Sequence, residues 1–122
     1  MSEQAGEEWS PPFARLYESA ASKPGSVEDH PWDETVFKVG GKIFFFLGRP
    51  PGKGVTVKPA PDDLDGLLQL PYVERAAYIG RYGWVSVAVT DDASLELALD
   101  LLDESYDQVV RKLPKSARPP KP

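Results

Sequence analysis

The stretch VFKVGGKIFFFLG, residues 36 to 48, constrains this chain more than any other. Two apolar runs flank Gly40-Gly41, and a two-residue turn with positive φ at both centres suits paired glycines. The segment therefore predicts a hairpin of strands Glu34 to Val39 and Lys42 to Leu47. The second arm, Ile43-Phe44-Phe45-Phe46-Leu47, is apolar at every position. Successive strand residues face opposite sides of a sheet, so some of these side chains must point away from the main core. Pairing outward from the turn sets Val39 against Lys42, Phe37 against Phe44 and Thr35 against Phe46. That register assigns Phe37, Phe44 and Phe46 to the core face. It puts Val36, Ile43 and Phe45 on the other face, beside Lys38.

Around the hairpin the apolar pattern changes period. Ser10-Pro11 suits a helix start, and Phe13, Leu16, Tyr17 and Ala20 then repeat at i, i+3, i+4 and i+7. Pro24-Gly25 ends that helix, and residues 26 to 35 read as an acidic connection. Val55 to Lys58 alternates as a third strand. Pro61-Asp62-Asp63 opens a short helix carrying Leu64, Leu67 and Leu68. Ala76 to Ile79 and Tyr82 to Val89 read as two more strands joined near Gly80. Asp91 or Asp92 caps a long last helix with the stripe Leu95, Ala98, Leu99, Leu102, Tyr106, Val109 and Leu113. Arg111 and Lys112 sit at its C-terminus, the end that favours cations.

The element order is thus α-β-β-β-α-β-β-α. Short connections imply an antiparallel five-stranded sheet with the helices on one face, a two-layer α+β sandwich. Residues 1–9, small, polar and acidic, are expected to be disordered. Residues 10–114 form a single domain, and 115–122 a basic, proline-rich flexible tail.

Composition narrows the function classes. A chain of 122 residues with 41% hydrophobic and 27% charged residues holds one core. It has no cysteine, which excludes disulfides and fits a reducing cytoplasm. No apolar run approaches the roughly 20 residues that span a bilayer, so no membrane partner is expected. The net charge is −5, yet residues 111 to 122 carry five cations and no acid. Residues 38 to 58 likewise hold Lys38, Lys42, Arg49, Lys53 and Lys58 without an acid. The hairpin region is a basic island in an acidic chain.

Several segments together resemble the MmcQ/YjbR family. They are Lys23-Pro24-Gly25, His30-Pro31-Trp32, Val36 to Phe44, Arg81-Tyr82-Gly83-Trp84, Ser105-Tyr106-Asp107-Gln108-Val109-Val110 and Leu113-Pro114-Lys115. The resemblance runs from about Phe13 to Lys115. It implies a small two-layer α+β fold and DNA as a ligand, gripped through a double wing of hairpins. It implies no catalytic residues. Family members often approach the strand tryptophan with basic residues or histidine, whereas this chain has Gly80-Arg81-Tyr82-Gly83.

Reactive motifs are weak. GRPPGKG, residues 48 to 54, has three residues between Gly48 and Gly52, no hydroxyl after Lys53 and a strand after it. A phosphate loop needs four residues, Ser or Thr, and a helix, so no nucleotide cofactor is expected. His30 is the single histidine, and Pro31-Trp32 interrupts its carboxylate neighbours, against a metal site or a hydrolytic triad. No cofactor or metal is expected, and the chain reads as a non-enzymatic binding domain. Its phosphate-contacting residues would be Lys38, Lys42, Arg49, Lys53, Lys58 and Arg81. A second reading is a protein-interaction module or homodimer using an outer-face patch of Val36, Ile43, Phe45 and Trp84, rimmed by Lys38 and Lys58.

Overall fold

The computed structural model describes residues 11–31, 34–47 and 54–119. Helix α1 spans Pro11–Ala21, strand β1 Val27–Asp29, β2 Thr35–Val39, β3 Lys42–Leu47 and β4 Val55–Val57. A 3-10 turn at Pro61–Asp63 leads into the short α2, Leu64–Leu67. Strand β5 (Val73–Arg75), a 3-10 turn (Ile79–Tyr82), β6 (Val85–Val87) and the long α3 (Asp92–Lys112) complete the domain, and a 3-10 turn at Lys115–Ala117 follows.

The sheet has six strands, not the expected five, in the order β1-β2-β3-β4-β6-β5, and every pairing is antiparallel. The element order becomes α-β-β-β-β-α-β-β-α. The additional strand, β1, lies in the acidic connection. Val27-Glu28-Asp29 carries one apolar residue, and Val27 is 61% exposed on this edge, so no alternation betrays it. The strand expected at Ala76 to Ile79 forms instead at Val73–Arg75. Ala76 to Ile79 is the more apolar run, but it folds as a tight turn beside the sheet.

The hairpin forms around Gly40 (φ 58°) and Gly41 (φ 80°), as two positive-φ centres require. At Gly40 space adds a second constraint, because a Cβ there would sit 2.6 Å from Leu113 Cδ1. The pairing outward from the turn then departs from simple counting. Val39 opposes Lys42 and Lys38 opposes Ile43, but Phe37 opposes Phe45. Phe44 is an extra residue, a β-bulge. From Phe45 onward the faces are inverted relative to a regular hairpin. Phe44 and Phe45 are both fully buried in the core, and Phe46 turns to the outer face.

The core lies between the sheet and α1 with α3. Phe13, Leu16, Tyr17 and Ala20 of α1 all bury, as their spacing predicts. The α3 face is rotated from the expected stripe. Ser94, Ala98, Leu101, Leu102 and Ser105 are its buried residues, while Leu95, Leu99, Tyr106 and Val109 are only partly covered. Two of the buried positions are serines, and each has a structural task. Ser94 closes a capping box with Asp91, and that bonding lowers the Asp91 pKa. Ser105 donates to the Phe44 carbonyl at 2.6 Å and accepts from the Lys58 N–H at 2.9 Å. The bulge thus finds its partner on the helix above it.

Candidate functional site

The strand register gathers cations at one end of the sheet. Val57, Val85 and Arg75 lie side by side across β4, β6 and β5. Lys58 and the connection 76–84 therefore leave from the same end as the Gly40-Gly41 turn and Lys42. The α3 C-terminus reaches this end too, where Leu113 meets Gly40. Lys42, Lys58, Arg75, Arg81 and Lys112 all belong to it. The Lys58 backbone is fastened to Ser105, and its side chain meets Lys112 two turns further along α3. Lys58 is thus on the helix side, not the outer face expected from strand alternation, because β4 ends at Val57. Partial burial and the facing Lys112 ammonium together lower the Lys58 pKa. Among the described residues the ion pairs are Arg15–Glu96, Lys23–Asp103, His30–Glu28 and Lys38–Asp29. Neither Lys58 nor Lys112 appears in them.

The expected phosphate-contacting set divides accordingly. Lys42, Lys58 and Arg81 share the turn end. Lys38 projects from the opposite face and pairs with Asp29 at 2.8 Å, which lowers the Asp29 pKa through that bond and the His30 backbone N–H. Arg49 and Lys53 lie outside the described residues. Arg75 and Lys112 join the site although the sequence marked neither for it. Lys112 reads locally as a complement to the helix dipole, and only the packing of α3 on the hairpin turns it toward Lys58.

The outer-face patch is smaller than expected. Phe45 belongs to the core because of the bulge, and Val36 is also fully buried. Ile43 and Trp84 remain half-exposed. Trp84 packs edge-to-face on Phe46, with ring centroids 5.6 Å apart and an interplanar angle of 81°. A cavity of about 620 Å³ opens here, with Ile43, Phe46, Thr56 and Ser86 on one side and Ala76 to Ile79 on the other.

At the opposite sheet edge Glu28 accepts the Tyr17 hydroxyl and lies 2.7 Å from His30 Nε2. Burial, then the Glu28 bond and charge, push the Tyr17 pKa from 10.0 to about 12. A raised phenol pKa favours the folded state while the phenol is neutral. Its contribution is complete below pH 10 and is lost as pH rises toward about 12. Tyr17→Phe should therefore flatten the decline of stability across that window in urea melts at stepped pH. An unchanged slope would contradict the coupling. Among the described residues no group of three or more His, Cys, Asp or Glu side chains is arranged to hold a metal ion.

The recognisable segments of the sequence converge on one another. The Tyr106 hydroxyl donates to the Pro24 carbonyl at 2.6 Å, and its ring meets Phe44 edge-on at 5.1 Å. Lys23 pairs with Asp103 and lies 5.8 Å from the Tyr106 ring centroid. Residues 21–108 match the YjbR family, most of the chain. This chain belongs to the YjbR family. Segments that mark this YjbR domain therefore lock α3 to the hairpin and to the Lys23-Pro24 corner. Its fold is similar to that of a Pseudomonas syringae protein solved as a structural-genomics target. The TM-score is 0.59 at 18% identity, covering 77% of this chain and 95% of the other. At that identity the likeness concerns the fold. No curated protein matches the sequence. No helix among the described residues is long and apolar enough to cross a membrane.

Proposed function

We propose that this YjbR domain is a non-enzymatic binding module and that its turn end contacts the phosphates of a nucleic acid. The carrying observation is the Lys58–Lys112 pair. Two like charges face one another, Lys58 partly buried, and among the described residues no carboxylate is ion-paired to either. Such a pair is relieved by an external anion, and Lys42, Arg75 and Arg81 around it extend the cationic surface along a backbone. The acidic remainder of the chain restricts contact to this end.

Fluorescence anisotropy with labelled nucleic acid of about 20 nucleotides or base pairs, titrated at low and then physiological salt, tests this. Binding should be present at low salt and fall with added salt. Lys58→Glu with Lys112→Glu should weaken it by at least about tenfold and reduce the log–log salt slope by roughly 2. No binding at low salt to any nucleic acid would reject the proposal.

A second reading rests on the outer-face cavity, whose walls include Ile43, Phe46, Ala76 and Ile79. Apolar surface of this kind suits a protein partner or a second copy of the chain. Sedimentation velocity of the parent and of Ile43→Asp would show a dimer that the variant loses. A parent that stays monomeric at high concentration removes the homodimer form of this reading.

A further inference from the structure

Tyr78 is 95% exposed and Tyr82 59% exposed. The other rings with described partners are packed in pairs: Tyr17 with Phe37, Phe44 with Tyr106 and Phe46 with Trp84. Tyr78 is held outward at a conformational cost. It has φ 65° and ψ −57°, and the Ile79 N–H donates across it to the Ala77 carbonyl at 2.6 Å. This is a γ-turn of the rare, strained hand. Tyr78 is also the one non-glycine with positive φ among the described residues. Such backbone strain persists only where the surroundings impose it.

The surroundings are visible. The Ala76 N–H donates to the Trp84 carbonyl at 3.1 Å, and the Gly80 N–H to the Ala76 carbonyl at 3.0 Å. Gly80 is buried against Arg75, leaving 3.1 Å between the Arg75 Cβ and the place a Gly80 Cβ would occupy. Four residues on, Tyr82 has the Arg81 guanidinium 4.9 Å from its ring centroid. Two solvent-facing rings therefore stand in the connection that leaves from the cationic end of the sheet. Rings beside cations are what single strands require, since each unpaired base offers a π face and each phosphate a charge. Duplex bases are already stacked on one another and offer no such face. Tyr78 also lines the outer-face cavity with Phe46, Thr56 and Ser86. A base beside it would meet an apolar ring and two hydroxyls.

We propose that the nucleic acid bound by this domain is single-stranded, with unpaired bases stacking on Tyr78 and Tyr82 and phosphates held by Lys58 and Lys112. This rests on the nucleic-acid reading above and narrows it.

The full chain is titrated into a labelled oligothymidylate of about 20 nucleotides and into a duplex of equal length, at the same low salt. The single strand should bind at least about tenfold tighter, and Tyr78→Ala with Tyr82→Ala should weaken it about tenfold or more. Tyr78→Phe keeps the ring and should keep the affinity. Tyr78→Gly should lose affinity while raising the urea midpoint, because glycine accepts positive φ without strain. A single-strand preference under about threefold, or unchanged affinity in the alanine pair, overturns the single-strand proposal and leaves the nucleic-acid reading standing. Binding to neither probe overturns both.

Discussion

Phe45→Ser is expected to destabilise the domain by about 4 kcal/mol or more, because it leaves a cavity and buries an unpartnered hydroxyl. Phe46→Ser, one residue away, is expected to cost about 1–2 kcal/mol, the value of a partly exposed ring packed on Trp84. Neighbouring phenylalanines in one strand would normally differ by face alone. Here the bulge at Phe44 decides which of the two faces the core. Urea denaturation of both variants gives the comparison directly. Equal losses, or a larger loss at Phe46, would mean that β3 pairs in the regular register. The same experiment bears on function, since a Phe45 variant that lost a partner would have lost its fold first.

Ser105→Ala is the second large effect, expected at about 3 kcal/mol. The hydroxyl serves two backbone groups at once, the Phe44 carbonyl and the Lys58 N–H. Each group left without a partner in a buried setting costs about 1–3 kcal/mol. Hydrogen exchange adds a local test, since the Lys58 amide should lose protection in the variant relative to β4. A loss below about 0.5 kcal/mol, the scale of an ordinary surface substitution, would mean that other groups satisfy the bulge. Because Ser105 also fixes the backbone from which Lys58 projects, the variant should weaken nucleic-acid binding as well as stability.

The elements with strong local signals were legible. The Gly40-Gly41 turn, the α1 stripe from Phe13 to Ala20 and a cap of α3 at Asp91 or Asp92 follow from spacing and propensity, and the capping box with Ser94 selects Asp91. The edge strand β1 was not, because Val27-Glu28-Asp29 gains its strand form from pairing with β2 rather than from its own residues. The apolar Ala76 to Ile79 promised a strand and forms a strained turn, which Gly80 and the packing of Arg75 impose. The buried face of α3 was misjudged by part of a turn, since Ser94 and Ser105 look polar and only their partners make them core residues.

The candidate site divides the same way. The sequence showed that the hairpin region is basic and that the domain resembles YjbR proteins, and both follow from residue identity alone. It could not show that Lys38 is matched by Asp29 while Lys58 faces Lys112, because these relations join positions far apart in the chain or on different elements. Nor could it decide which phenylalanines of IFFFL face inward. Alternation is a local rule of period two, and one inserted residue inverts it. Local chemistry permits the bulge at any of these positions. The pairing of β3 with β2, and the Ser105 hydroxyl waiting on α3, place it at Phe44.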